Sequence, residues 1–312
     1  MAAFAIYTYK FRDVDNIGIY AAEEKNNAPL LTLKEKQDFV QQIFRDDLAK
    51  ARPFECRLWK ERKNKTTNKK ERIFIGYKSQ VVWENNGIIV LQIANNKPST
   101  RHENFKKIRT TDEPWCYVII DNRYEREFVA IEKNSAFRSP DVVAMILEHS
   151  LRDRLVPRHV TIEITSQYSP EDFWAVVDKH KDRGIREVSF CFAAPNNPWA
   201  SQLLNHQNDA ARQMKARPTT TFTAPDDDPL VLDRDNEELQ TYAKVCATTG
   251  EDIVVLVKGT KQKIHVKKIK DKYVFRVMND SAYAHLSTSA VELFDSNYTD
   301  MATFLNSINP LQ

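Results

Sequence analysis

The sequence predicts an α+β protein, and three observations support this fold class. The first third of the chain carries short runs of alternating polar and apolar residues, which are typical of antiparallel strands. The middle contains two similar helix-start signals with an aliphatic strand between them, and the last third contains three strand-like runs flanked by helices. A hydrophobic content of 42% and a charged content of 29% are those of a folded chain, and 312 residues suffice for two or three domains.

Residues 1–135 are predicted to form an antiparallel, strand-rich domain. Residues 3–11 alternate strictly between two faces, and apolar residues at helical spacing predict a helix at about residues 32–50. Further short strands are expected near residues 54–59, 73–77, 81–83 and 88–94. Residues 116–121 and 128–132 are expected to pair as a hairpin.

Residues 136–216 are predicted to form a small α/β layer. Ser139 precedes a proline and an aspartate, so its hydroxyl caps a helix, the proline takes the first helical position and the acid lies at the positive end of the helix dipole. Ser169 begins a second signal of the same kind. Aliphatic strands follow the two helices at residues 160–164 and 188–193, and a further helix is expected at about residues 199–215.

The C-terminal part begins after a change in composition. Residues 217–236 are rich in Pro, Thr and Asp, and we expect a linker or long loop there. Residues 237–312 are predicted to form a basic α+β region, in which Gly250 ends the first helix. A three-stranded sheet and a final helix are expected at residues 253–257, 261–267, 273–278 and 300–308.

Several classes of protein are excluded by simple counts. The six glycines are too far apart for a dinucleotide-binding or phosphate-binding loop, and neither HExxH nor GxSxG occurs. The four cysteines lie 50 or more residues apart without a CxxC pair, which favours reduced, buried thiols and predicts no metal site. No apolar run approaches the roughly 20 residues of a membrane helix. The start, MAAFAIYTYKF, lacks a basic leader, so we expect a cytoplasmic protein that contacts no membrane.

Positive charge is concentrated in three stretches, which we call the first, second and third basic segments. Residues 60–72 contain seven basic and two acidic residues, residues 97–109 contain five and one, and residues 258–272 contain seven and one. The whole chain has a net charge of only +3. Such segregation creates a positive field, whose natural ligands are the phosphate backbones of DNA or RNA. The alternative is that these segments are only solvated surface.

The third basic segment has the most regular pattern. Lys261, Lys263, His265 and Lys267 recur at period two, which in a strand places them on one face, and Arg276 on the next strand is expected to join them. Lysines that protect an edge strand from aggregation are the alternative. The predicted nucleic-acid contacts from all segments are Arg62, Lys63, Lys65, Lys69, Lys70, Lys106, Lys107, Lys261, Lys263, His265, Lys267, Lys268 and Arg276. Two aromatic residues, Trp59 and Tyr77, flank the first segment; stacking on bases is one role open to them, and we expect both to pack in the core instead.

Catalytic candidates are few. Arg152 and His159 fit the loose Arg-x4–6-His spacing of HEPN-type ribonucleases, but Pro157 interrupts the helix that this pattern needs. Asp121 and Glu132, on the two arms of the predicted hairpin, are the other candidates, as the carboxylates of a restriction-type nuclease core. Such a core would use Mg²⁺, and no other cofactor is predicted.

One stretch carries a resemblance. From EKNSAFRSPDVVAMIL to DKHKDRGIREVSFCFAAPNNP, within about residues 115–260, the chain resembles uncharacterised bacterial proteins encoded beside phage-defence genes. The resemblance implies a role in a defence or mobile-element system and implies no particular chemistry. The sequence therefore predicts a nucleic-acid-binding component of such a system, acting alone or with a protein partner. A metal-dependent nuclease with a degenerate motif and a module that binds an acidic protein remain alternatives.

Overall fold

The structure is a computed structural model, and it describes residues 2–13, 31–49, 54–64, 66, 68–192, 218–225, 228–268, 274–280, 283–284 and 298–308. In order along the chain, the β-strands and α-helices of these residues are β1 (Ala2–Asp13), α1 (Leu33–Ala49), β2 (Cys56–Lys63), β3 (Lys70–Tyr77), β4 (Ser79–Asn85), β5 (Ile88–Ala94), β6 (Lys97–Glu103), β7 (Lys106–Asp112), β8 (Trp115–Asp121), β9 (Phe128–Glu132), α2 (Pro140–Leu155), β10 (Val160–Ser166), α3 (Pro170–Lys179), β11 (Ile185–Cys191), β12 (Thr219–Thr223), α4 (Glu237–Thr249), β13 (Ile253–Val257), β14 (Lys263–His265), β15 (Phe275–Met278) and α5 (Tyr298–Ile308). The combination of helices with antiparallel sheets confirms the predicted α+β class. None of the helices in these ranges has the length and apolar character needed to cross a membrane.

The chain divides into two compact units that interleave in sequence. The first unit contains Met1–Ala5, Phe11–Ile164 and Phe275–Gln312, and the second contains Ile6–Lys10 and Thr165–Val274. The sequential domains predicted at 1–135, 136–216, 217–236 and 237–312 remain a prediction about domain boundaries. The compact units follow a different division, because β15 and α5 belong to the first unit.

A seven-stranded sheet contains most of the strands of the first unit. Its order is β10-β1-β9-β8-β5-β4, and β15 pairs antiparallel with the beginning of β1. The central strands β5 and β8 are almost entirely buried, which their aliphatic sequences IIVLQIA and WCYVIID explain. The predicted β8–β9 hairpin is confirmed, with Val118 opposite Ile131 and Asp121 opposite Phe128.

The helix starts are where the sequence predicts them. The Ser139 side chain accepts a hydrogen bond from the backbone N–H of Asp141 and caps α2. Ser169 and Asp172 form a capping box at the start of α3. The carboxylate of Asp172 accepts a hydrogen bond from the backbone N–H of Ser169, and the hydroxyl of Ser169 accepts one from the backbone N–H of Glu171. At the C-terminal end of α4, Gly250 adopts the left-handed conformation that ends many helices.

The second unit has a four-stranded antiparallel sheet with the order β12-β11-β13-β14. Helices α3 and α4 share a hydrophobic core with this sheet, in which Phe173, Phe190 and Cys246 are buried. Strand β12 lies within the predicted linker, where the β-branched run TTTFT supports a strand, and its Phe222 packs against the core. The predicted helix at residues 199–215 lies outside the described residues.

The three C-terminal strands do not form a sheet of their own, which corrects that detail of the prediction. Strand β13 pairs with β11 and β14, whereas β15 pairs with β1. Each of these strands completes a sheet that begins much earlier in the chain, and local sequence patterns do not specify such distant partners.

The described cysteines are all free thiols, as predicted. Burial raises the pKa of Cys56 to about 12, and burial also raises the pKa of Cys116, Cys191 and Cys246. A thiol with a raised pKa is protonated and weakly nucleophilic at neutral pH. These cysteines therefore serve as packing residues rather than as reactive groups.

Candidate nucleic-acid interface

The first basic segment forms the far end of a β-hairpin. Strands β2 and β3 make a separate two-stranded sheet whose register runs from Cys56 opposite Tyr77 to Lys63 opposite Lys70. Because opposite residues share a face and faces alternate along a strand, the hairpin has an inner and an outer face. Leu58 and the two residues at the base of the ladder are buried on the inner face, where β2 contacts α2.

The outer face carries two aromatic side chains at its centre. Trp59 lies directly opposite Phe74, and the two rings lie against each other with their planes 36° apart. Trp59 is 43% exposed and Phe74 is 48% exposed. The expectation that Trp59 packs in the core is therefore wrong, because Cys56 and Leu58 occupy the inner face. The same expectation is confirmed for Tyr77, which is buried.

Cations continue this face towards the tip of the hairpin. The register places Arg72 opposite Glu61 and Lys63 opposite Lys70 on the outer face. Lys70 forms an ion pair with Glu61 at 3.1 Å. Among the described residues, no carboxylate lies within ion-pair distance of Lys63, Lys69 or Arg72, or of Lys60 on the inner face, and all four are exposed. Lys65 lies outside the described residues, and so does the side chain of Arg62.

The second basic segment forms another hairpin, which the sequence did not predict. Strands β6 and β7 pair from Lys97 opposite Asp112 to Glu103 opposite Lys106. Asn104 and Phe105 connect them with φ angles of 49° and 59°, as in the turns that favour tight hairpins. Phe105 is completely exposed at the tip, and Lys106 beside it is also exposed. The side chain of Lys107 lies outside the described residues.

A groove with a volume of 750 Å³ opens where the two hairpins leave the seven-stranded sheet. Phe54, Tyr77, Ala94 and Trp115 contribute its apolar walls. Polar groups and Gly76 complete the lining, among them the amides of the paired Gln80 and Gln92 and the ion pair between Lys78 and Glu113.

The third basic segment is organised differently from the prediction. Strand β14 contains only the three residues Lys263–His265, after which the chain forms a short 3-10 helix at Val266–Lys268. Asp252 explains the change, because one of its carboxylate oxygens lies 2.6 Å from Nδ1 of His265 and the other accepts the backbone N–H of Lys267 at 3.3 Å. The regular strand predicted for residues 261–267 is therefore interrupted.

Two predicted cations of this segment have acidic neighbours. The ammonium group of Lys263 lies 3.2 Å from Glu187, and His265 is held by Asp252. Lys261 is exposed, and the side chain of Lys268 lies outside the described residues. Arg276 is exposed on β15, which pairs with β1 and not with β14. The structure therefore does not bring Arg276 into the same sheet as the third basic segment.

The carboxylates considered as nuclease residues have structural partners. Asp121 is fully buried, and its two oxygens accept hydrogen bonds from Nε of Arg123 at 2.7 Å and from Nη2 at 2.6 Å. Glu132 is also buried and accepts from the backbone N–H of Tyr117 at 3.0 Å and from the hydroxyl of Tyr283 at 2.6 Å. Burial and this bond to Glu132 raise the pKa of Tyr283.

The two carboxylates also lie far apart. Glu132 is four residues along β9 from Phe128, the partner of Asp121, which corresponds to about 13 Å along the strand. Two carboxylates that share a metal must lie much closer together. In the ranges that the structure describes, no group of three or more His, Cys, Asp or Glu residues is arranged to hold a metal.

The Arg152 and His159 pair does not form a recognisable catalytic site. The guanidinium group of Arg152 is bound to Glu148, one helical turn earlier, at 2.7 Å. His159 is exposed with a φ of 58° and ends the 3-10 helix at Val156–Arg158, which contains Pro157. The proline thus separates the histidine from the helix that carries the arginine, as the sequence indicated.

No family model, curated protein or solved structure matches this chain. The features that sequence reasoning missed are Phe74, the β6–β7 hairpin with Phe105, and the groove. Phe74 was within reach of such reasoning, because it alternates with Ile73 and Ile75, which face inward and are half-buried. The groove was not, because its walls come from four separate stretches of the chain.

Proposed function

We propose that this protein binds nucleic acid through the outer face of the β2–β3 hairpin. The observation that carries the proposal is the exposed Trp59 and Phe74 pair, which lies on the same ladder as Lys63 and Arg72, two cations that form no ion pair with a described carboxylate. Nucleic-acid strands offer flat bases and charged phosphates in alternation. Aromatic side chains stack on the bases, and cations neutralise the phosphates and release counterions.

Simpler explanations account for only part of this surface. Single exposed apolar residues are common, and edge lysines protect strands from aggregation. A cross-strand aromatic pair can also stabilise a hairpin by about 0.2–1 kcal/mol. None of these effects explains both aromatic rings and unpaired cations on one face, whereas proteins that bind single strands combine the two. The hairpin is already held by its inner face, where Leu58 is buried.

The test is equilibrium binding of fluorescent DNA and RNA oligonucleotides, single-stranded and duplex, to the wild-type chain and to a Trp59→Ala, Phe74→Ala double variant. We expect the double variant to bind a single strand at least ~5-fold more weakly, because base stacking is worth about 1–3 kcal/mol per base. Tyr124→Ala is the matched control, since Tyr124 is an exposed aromatic residue elsewhere in the first unit. Equal affinities for the double variant and the wild-type chain would contradict the proposal.

The biological setting of this binding remains a prediction from the resemblance, namely a bacterial defence or mobile-element system with or without a protein partner. The metal-dependent nuclease alternative gains no support from Asp121 and Glu132, whose contacts are structural. The same experiment distinguishes nucleic-acid binding from the alternative that the protein binds an acidic protein partner. A protein that binds acidic proteins alone would show no dependence on Trp59 and Phe74 in oligonucleotide binding.

A further inference from the structure

The groove lies between the roots of the two basic hairpins. The backbone carbonyl of Gly76, near the end of β3, accepts a hydrogen bond from the Asn96 side chain at 3.3 Å, immediately before β6. The backbone N–H of Asn95 donates to the carbonyl of Pro114 at 2.8 Å, just after β7. Both ends of the second hairpin are thus fixed beside the end of the first, and the groove occupies this junction.

The walls of the groove suit a flat, uncharged heterocycle. Trp115 lines the groove, makes a T-shaped contact with Tyr117 at 4.7 Å between ring centroids and is 41% exposed, so part of the indole surface remains accessible to a ligand. The amides of Gln80 and Gln92 bond to each other and supply further donors and acceptors at the lining. A volume of 750 Å³ falls within the 300–1,000 Å³ typical of small-ligand sites.

The charges around the groove favour an uncharged base over a phosphate as its occupant. Lys78 is paired with Glu113, and Arg57 is paired with Glu55, so the cations of the lining are neutralised by acids of the same lining. The cations without such acids lie further along the first hairpin. A phosphate therefore gains most along the hairpin, and an uncharged base gains most in the groove.

The groove is continuous with the outer face of the β2–β3 hairpin. From root to tip, successive pairs on that face are Arg57 with Gly76, Trp59 with Phe74, and Glu61 with Arg72, in steps of about 6.8 Å. The first of these pairs lines the groove. We propose that the groove takes an unpaired nucleobase of a single strand whose backbone runs along the outer face, which makes single-stranded nucleic acid the ligand of the proposed function. This inference rests on that function.

Gly76 offers a direct way to fill the groove. A Cβ at this position would have no atom within 4 Å, and the backbone there is not in the left-handed region. Gly76→Leu therefore adds a side chain to the groove without backbone strain, and Gly76→Ala is the matched control that leaves most of the space open. Trp115→Ala is a second variant, which removes the stacking wall and keeps the space.

The experiment measures binding of a single-stranded oligonucleotide containing 2-aminopurine, an abasic single strand and a blunt duplex. We expect Gly76→Leu and Trp115→Ala to weaken binding of the base-containing strand at least ~5-fold and to leave duplex binding unchanged. Gly76→Ala should bind as the wild-type chain does, and the abasic strand should show no difference among the variants. Quenching of 2-aminopurine should be weaker in Trp115→Ala than in the wild-type chain, and the remainder reports stacking on Trp59 and Phe74.

Three outcomes overturn the inference. If Gly76→Leu and Trp115→Ala both bind the single strand with wild-type affinity, no base occupies the groove. The proposed function stands in that case if the Trp59→Ala, Phe74→Ala variant binds the single strand more weakly than the wild-type chain does. Equal losses for duplex and single strand show that the groove supports the hairpin rather than holding a base. Failure of the wild-type chain to bind any of these ligands at low salt overturns the proposed function itself, and the inference with it.

Discussion

Trp59 and Phe74 show what a single strand pattern can and cannot predict. In KERIFIGY, Ile73 and Ile75 alternate with Phe74, so a half-buried strand must place the phenylalanine on its outer face. The partner of Phe74 depends on the register of the hairpin, and the register depends on the turn around Asn64 and Lys69. Sequence alone therefore predicts an exposed aromatic residue, and the fold makes it a pair.

Asp121 is a catalytic candidate in the sequence, but in the structure its carboxylate has a structural role. A buried carboxylate at the end of a strand is a reasonable catalytic candidate until its partner is known. Here Arg123, two residues later, binds both carboxylate oxygens, and Nη2 of the arginine also reaches the side-chain oxygen of Asn306 at 3.2 Å. The link to Asn306, in the last helix, was beyond local sequence reasoning.

Replacing Asp121 with asparagine should destabilise the fold rather than abolish a reaction. Asp121→Asn leaves a largely buried guanidinium group without its counter-charge, and loss of one partner of a buried ion pair costs about 3–5 kcal/mol. Urea denaturation of the wild-type chain and the variant measures the difference in the free energy of unfolding. Glu61→Gln is the control, because its ion pair with Lys70 is exposed and should contribute less than about 1 kcal/mol. This structural role would be contradicted if the wild-type chain cleaved nucleic acid and the Asp121→Asn variant folded normally but did not.

At the scale of elements, helices were predicted better than strands. The caps at Ser139 and Ser169 are local signals, because the capping groups lie within three residues of each other. Strands β6 and β7 gave no comparable signal, since KPSTRHE and KKIRTTD contain almost no apolar residues. A ribbon that buries little is held by its ladder and its turn, and hydrophobic periodicity does not detect it.

The end of α4 provides a test at this scale. Gly250 has a φ of 63°, and a Cβ there would lie 2.7 Å from Oγ1 of Thr165 and 2.8 Å from the carbonyl oxygen of Ser166. Gly250→Ala should therefore lower the free energy of unfolding by about 1–3 kcal/mol, from backbone strain and from the close contacts. Gly76→Ala, in open space with an ordinary φ, should change it little or raise it slightly. Equal midpoints in thermal unfolding for the two variants would be inconsistent with this packing.

At the scale of the whole molecule, the charge segregation was predictable and its consequences were not. The acids that pair with two residues of the third basic segment lie outside it: Glu187 is 76 residues from Lys263, and Asp252 is 13 residues from His265. The first basic segment lacks such partners for Lys60 and three of its neighbours among the described residues. The first and third segments, although similar in composition, therefore differ in the charge that their described residues leave available to a ligand.

The division into two compact units was equally hidden. Strand β15 pairs with β1, and β13 pairs with β11 in a different sheet, although β13 and β15 are close in sequence. Aliphatic strands of similar length carry no information on which distant strand they join. The composition and the element types were predictable because they are local properties, and the topology was not because it depends on long-range packing.

The proposed function requires that cations of the β2–β3 hairpin contact phosphates. The most direct test is the salt dependence of oligonucleotide binding by the wild-type chain, by a Lys63→Glu, Lys69→Glu, Arg72→Glu variant, and by a Lys179→Glu, Lys181→Glu, Arg183→Glu control. The control positions are also exposed and give the same change in net charge, but they lie at the end of α3. Any difference between the two variants therefore reports the position of the charges.

We expect log K to fall linearly with log [salt] for the wild-type chain, because counterions are released from the phosphates on binding. The hairpin variant should bind more weakly, and its slope should be smaller by about 2 to 3, one unit or slightly less for each lost phosphate contact. The control should retain nearly the wild-type slope. Identical slopes for the two variants, or the absence of wild-type binding at low salt, would contradict the account.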